Sequence, residues 1–180
     1  MNLLIIVLGL AALAVVVYAS YKVGTAFWRA RGERLVECPE THAPAGVSLD
    51  AKGAARAALR GQRHFELEKC TRWPERAGCG QDCLQEIAAA PDGCRVQAIL
   101  AAWYVGKACV LCGRDLSRID WTVHRPALMD PARKIVQWGE MAAVDVPGLL
   151  ETHLPVCWDC QIIESLVQQH PERVTVRPPH

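Results

Sequence analysis

Between Leu3 and Ala19 the sequence has no charged residue and a single glycine, and from there to Trp28 its only charge is Lys22. An uncharged run of this length excludes an ordinary surface segment, because about 20 apolar residues suffice to cross a bilayer. No Lys or Arg precedes the run, so the positive leading region of a cleaved signal peptide is missing. Val17-Tyr18-Ala19 has small or branched residues that a signal peptidase accepts, yet the expected segment is an uncleaved anchor over residues 1–28. A basic stripe is also lacking: Lys and Arg are scattered among Asp and Glu, the formal net charge is +1, and nothing points to nucleic acid. The chain has no G-x-G-x-x-G, P-loop, H-E-x-x-H or G-x-S-x-G. The usual catalytic signatures are therefore absent, and the sequence points to a binding protein more than to an enzyme. C-x-x-C-H is absent too, which argues against covalent haem. Internal repeats and low-complexity tracts are not seen.

What the sequence does have begins at the flanks of the apolar run. Tyr18, Tyr21 and Trp28 suit a membrane interface, and Lys22 can extend its ammonium out of the hydrocarbon. Lys22, Arg29, Arg31 and Arg34 all lie on the C-terminal flank. Positive flanks stay cytoplasmic, so the expectation is a single-pass protein of the cytoplasmic membrane with its soluble part facing the cytoplasm. Roughly 145 residues follow, within the size of one modest domain. Nine cysteines in 180 residues is a high and odd count for a compartment that keeps thiols reduced. Such a count favours metal ligands over disulfides.

The soluble part reads as α+β. After a juxtamembrane linker at 29–37, a cysteine-rich segment is expected over 38–108. Within it "CPETHAPAG" is a turn-rich loop, "VSLD" a short strand, and Asp50 the cap of a helix that Gly61 ends. "HFELEKC" alternates as a half-buried strand does, "DCLQEIAAA" is helical, and "CRVQAILAAWYVGK" is a second helix. Val96, Ile99, Leu100, Trp103 and Tyr104 form its apolar stripe, most simply core packing. Over 109–170, "IDWTV" and "KIVQWGE" read as strands separated by the loop "HRPALMDPA". The final "CQIIESLVQQH" is an amphipathic helix with Ile162, Ile163, Leu166 and Val167 on one face, followed by a polar tail at 171–180.

Two C-x2-C pairs carry the clearest chemistry. Zinc takes four ligands at tetrahedral angles, and each such pair supplies two thiolates from one tight turn. "CVLCG" has a glycine after its second cysteine that lets the chain turn back sharply. The order of knuckle, two strands, and a C-x2-C entering a helix resembles a treble-clef zinc finger. That resemblance implies a closed four-thiolate zinc site made by Cys109, Cys112, Cys157 and Cys160. The 44 residues between Cys112 and Cys157 depart from the roughly 15 to 20 usual between such pairs. A longer connection absorbs this, since loop closure costs grow only logarithmically. Iron is the second choice of metal, because a mononuclear site of the rubredoxin kind also uses two knuckles. "CWDC" at a helix start could instead be a reactive dithiol, the helix dipole lowering a cysteine pKa. A thioredoxin-like thiol-disulfide oxidoreductase would need a strand leading directly into the pair and an alternating βαβ frame, whereas "LETHLP" before it reads as a poor central strand; an exported domain would favour this reading.

Cys38, Cys70, Cys79, Cys83 and Cys94 form a second group, open to a second zinc, an iron–sulfur cluster or free structural thiols. Cys83 and Cys94 begin successive helices, far apart for one site. His42, four residues after Cys38, could join a site, whereas His64, His124 and His153 have no partner at a diagnostic spacing. Arg72, Trp73, Glu75 and Arg76 read as packing and salt-bridge material that could also face a partner.

With "CPET", "RWPERAGCGQDCL", "GKACVLCG" and "PVCWDC", the chain resembles a group of bacterial single-span proteins to which no activity is attached. The expectation is a membrane-anchored, zinc-binding interaction or assembly module with a protein partner. An iron-centre or iron–sulfur electron carrier is the alternative.

Overall fold

A computed structural model describes residues 2–62, 65–121 and 123–170. The chain forms two compact units that part between Val96 and Gln97.

The first unit opens with α1 (Asn2–Ala30), 29 residues and about 43 Å long. It is the one helix, among the described residues, long and apolar enough to cross a membrane, with a mean hydropathy of 2.8 and no buried residue in its most apolar stretch. Such exposure is the opposite of what a soluble core helix shows. Residues 33–37, expected within a linker, instead belong with Cys38 to β1 (Glu33–Cys38), which pairs antiparallel with β2 (Ala43–Leu49). Pro44 is accommodated because it lies where β2 has a partner on one side only; β3 (Leu67–Cys70) pairs from Val47 onward. The sheet order is β1-β2-β3.

Asp50 caps α2 (Ala51–Leu59) as its sequence predicts, its carboxylate accepting from the Gly53 amide at 2.8 Å. Gly61 then takes a positive φ of 74°, closing the helix. The alanines of α2 let it lie close along α1, where Ala19 and residues 23–27 are partly covered. α3 (Cys83–Ala89) buries Cys83 and Ile87 against Val36, Ala45, Val47, Leu49 and Leu67. Cys94 belongs to the turn before the next helix instead of to the helix itself.

The C-terminal end of α1 is held by two arginines. Arg34, almost wholly buried, donates to the carbonyls of Ala30 (3.0 Å), Gly32 (3.1 Å) and Arg29. Arg95 donates to those of Trp28 (2.6 Å), Arg31 (3.2 Å) and Arg29 (3.3 Å). Helix C-termini leave carbonyls without intrahelical donors and carry partial negative charge, so two cations there satisfy both needs. A bridge between Arg34 and Arg95 and the bond from the Leu35 amide to the Cys94 carbonyl (2.8 Å) keep the pair in register.

The second unit begins with α4 (Val96–Tyr104), whose stripe buries Leu100 and Tyr104. Its sheet corrects the sequence expectation. "IDWTV" contains no strand among its described residues; the strand is β4 (Ala127–Met129), inside the segment read as a loop. All three of its residues are buried, a continuous apolar run without alternation, because β4 is central between β5 (Ile135–Val136) and β6 (Leu154–Val156). Trp121 packs edge-on against Tyr104 instead of pointing from a strand. Both β5 and β6 run antiparallel to β4. Gln137-Trp138-Gly139-Glu140 turns into a short 3-10 helix, and a second one, Ala143–Asp145, leads into α5 (Val146–Thr152), which has Pro147 in its first turn.

α6 (Trp158–Gln169) closes the unit and holds a second correction. Ile162, Ile163, Leu166 and Val167 share a face as expected, but that face is exposed, Ile163 to 58% and Leu166 to 53%. Gln161 is the residue α6 buries.

Candidate metal centre

The two C-x2-C pairs come together. Cys109 to Gly113 is a tight knuckle in which the Gly113 amide donates to the Cys109 carbonyl (2.8 Å) and the Cys109 amide to that of Arg114 (2.8 Å). Gly113 takes φ of 74°, a left-handed conformation that glycine reaches without cost. The Val110 amide donates to the Pro155 carbonyl (2.9 Å), joining the knuckle to β6, and β6 runs directly into Cys157 at the start of α6. An ion pair between Arg114 and Asp159 links the same two segments. The long connection between the pairs is thus taken up by β4, β5, α5 and β6, which return the chain beside the knuckle.

The four sulfurs of Cys109, Cys112, Cys157 and Cys160 all lie within 4.8 Å of one another. Cys112 and Cys157, one from each pair, have sulfurs 3.7 Å apart. A tetrahedron of zinc–sulfur bonds about 2.3 Å long places its sulfurs about 3.8 Å apart, so the set fits one ion. Cys109 and Cys157 are buried, Cys160 is half-buried and Cys112 is exposed, giving the cluster an inner wall and one outer corner. The Cys157 amide donates to the Cys109 sulfur (3.3 Å).

The thiols differ in their readiness to ionise. Burial works against a Cys109 thiolate, but amides of Cys157, Cys112 and Leu111 outweigh it and bring the pKa down to about 7. Burial pushes Cys157 and Cys160 up, and the neighbouring thiols push Cys160 further in the same direction. Four sulfurs this close cannot all ionise without a cation among them, a need that a bound metal ion would meet.

The second cysteine group divides. Cys38, Cys70, Cys79 and Cys83 line one small cavity in the first unit, whereas Cys94 lies apart, beside Arg34. The Thr41 hydroxyl, with the amides of Glu40 and Thr41, lowers the Cys38 pKa. Burial, with the thiols of Cys70, Cys79 and Cys38 adding to it, raises that of Cys83 to about 11. His42 is exposed and bonded to Glu37 (3.3 Å), His153 meets Thr152 (2.8 Å), and His124 stands edge-on to Trp158. His64 lies outside the described residues. Arg72 and Arg76 line the cavity, and Trp73 packs against the core of the same unit.

The class these observations define is an α+β protein with one apolar N-terminal helix and a four-cysteine cluster able to bind a metal. No family model, curated protein or solved structure matches the chain.

Proposed function

We propose that this is a single-pass, membrane-anchored zinc protein whose C-terminal unit serves as an interaction or assembly module on the cytoplasmic face of the membrane. The convergence of Cys109, Cys112, Cys157 and Cys160 onto one point carries the reading. A closed set of four thiolates leaves no open coordination position for substrate, which suits a structural ion more than a catalytic one. The proposed ion-binding element is treble-clef-like: a knuckle, an antiparallel sheet, and a helix that begins at the second pair. Against a dithiol enzyme stands the sheet: β6 does run directly into Cys157, contrary to the expectation for "LETHLP", but it lies antiparallel to β4 and is not the parallel strand of a βαβ frame.

Protein binding is supported by α6. Its contiguous stripe of Ile162, Ile163, Leu166 and Val167 is exposed, immediately beyond Cys160. Apolar stripes of this kind on soluble domains mark interaction surfaces.

The test is metal analysis and an absorption spectrum of the full chain, purified in detergent without oxygen. One zinc per chain that is lost in Cys112→Ser/Cys160→Ser, with no visible band at this site, is the expected result. Iron with a thiolate charge-transfer band that vanishes in the same variant would make the protein an electron carrier. A metal content unchanged by that variant would remove the reading.

A further inference from the structure

The remaining cysteines are placed by the first unit's sheet. Cys38 pairs with Ala43 and Val36 with Ala45 across β1 and β2, while Val47 pairs with Cys70 of β3. Directly paired residues share a face. Cys38 and Cys70 therefore emerge on the same side of the sheet as Val36, Ala45 and Val47, the side that α3 covers. Cys79 and Cys83 arrive from that cover, in the turn before α3 and at its first residue, with Gln81 between them at a positive φ of 56°.

All four cysteines line one cavity of about 30 Å³, whose inner wall is Val36, Ala45, Val47 and Leu67. It is large enough for a water-sized body or somewhat more, yet its walls are mostly apolar side chains and thiols. The hydrogen-bond donors around it point to an anion. The Arg72 amide donates to the Cys70 sulfur (3.4 Å), and Arg72 Nε is buried without a hydrogen-bond partner. A buried donor with no acceptor costs about 1–3 kcal/mol, and since Arg72 lines the cavity, an anionic group held there would be within its reach. Arg76 also lines the cavity and pairs with Glu40 (3.4 Å), tying the segment before Cys79 to the turn after Cys38.

We propose that Cys38, Cys70, Cys79 and Cys83 hold a second thiolate-bound metal centre, independent of the C-terminal one. Four thiolates around a divalent ion, or around an iron–sulfur cluster, leave a net negative centre. Arg72 supplies positive charge beside it and its Nε gains sulfur as acceptor, whereas the charge of Arg76 is already met by Glu40, and Asp82 is the other carboxylate of the lining. The sulfurs here do not close to the 4.8 Å that distinguishes the C-terminal set. A single zinc suits a cavity of this size and would draw the sulfurs inward; a four-iron cluster, with each cysteine on its own iron, would hold them apart but would have to widen the cavity. Cys94 takes no part.

The experiment uses the full chain, purified anaerobically in detergent, with zinc, iron and acid-labile sulfide measured in three forms. Cys112→Ser/Cys160→Ser should keep the centre of the first unit, and Cys70→Ser/Cys83→Ser should lose it while keeping the C-terminal ion. Retained zinc identifies a single ion, and retained iron with sulfide identifies a cluster. Alkylation of the unaltered protein, followed by mass spectrometry, guards against variants that fail to fold. Cys38, Cys70, Cys79 and Cys83 should resist alkylation together and become reactive together on chelation, with Cys94 labelling alike in both states. A metal-free Cys112→Ser/Cys160→Ser protein, with chelator-insensitive labelling of these four thiols in the unaltered chain, overturns the proposal. Because each variant removes one site, failure here is distinguishable from failure of the C-terminal zinc.

Discussion

Tyr104 shows how much one side chain holds in the C-terminal unit. Its ring is fully buried among Trp103, Trp121 and Trp138, and its hydroxyl donates to the Ala127 carbonyl at 2.7 Å, fixing the end of α4 to the central strand. Tyr104→Phe should cost about 1–2 kcal/mol in denaturant unfolding with the metal bound, the price of one buried hydrogen bond. Burial also raises the phenol's pKa above its ordinary value of 10.0. The folded state then keeps a proton that the unfolded chain releases, so this contribution is full below about pH 10 and falls as pH rises further. The alkaline decline of stability should accordingly be shallower in Tyr104→Phe; an identical decline would show that other groups set it. Residues of this kind were only half legible in the sequence. Tyr104 belonged to an apolar stripe and was readable as core, whereas its acceptor, 23 positions away, depended on a strand that the sequence did not reveal. The grouping of the four C-terminal cysteines was legible because a C-x2-C pair is a local signal, one that survives any length of intervening chain.

At the scale of elements, what was legible followed from local signals. Asp50 and Gly61 bracket α2, and unbroken hydrophobicity marks α1, since caps, turns and long apolar runs act on adjacent residues. β4 escaped because a three-residue strand buried on both faces has no alternation to display. The arginine clamp on α1 escaped for a related reason: Arg34 and Arg95 are 61 positions apart and meet only through the fold. Arg34→Met should destabilise the first unit by about 2–4 kcal/mol, because bonds from a buried cation to three carbonyls are lost together. Faster amide exchange should then appear in the last turn of α1 and across β1, with the C-terminal unit unaffected. The exposed stripe of α6 predicts the reverse pattern. Ile163→Glu/Leu166→Glu should leave folding within about 0.5 kcal/mol and metal content unchanged, as surface substitutions do. Crosslinking of the tagged chain in membranes should yield a specific adduct that this variant loses. If the adduct persists, the stripe is not the contact surface.

For the molecule as a whole, the proposed anchor makes the side of the membrane on which the cysteines would reside the decisive quantity. Under the proposed anchoring, Lys22, Arg29, Arg31 and Arg34 all stand on the C-terminal flank of α1 as the chain inserts; in the fold Arg34 is buried, so the other three are the ones to alter without disturbing the first unit. A reporter fused after His180 that is active only in the cytoplasm should be active, and Lys22→Gln/Arg29→Gln/Arg31→Gln should shift part of the population to the opposite orientation. The consequence for chemistry is direct. In a reducing compartment the thiols stay available to metal, and a strong chelator should melt the C-terminal unit as the ion leaves, because the binding free energy of a structural zinc is folding free energy. Molecules turned the wrong way by the triple substitution meet an oxidising environment instead. Their cysteines should be recovered partly as disulfides and their zinc content should fall in proportion. A cytoplasmic reporter that stays silent, together with disulfides in the unaltered protein, would shift the reading of "CWDC" from half of an ion site to a dithiol.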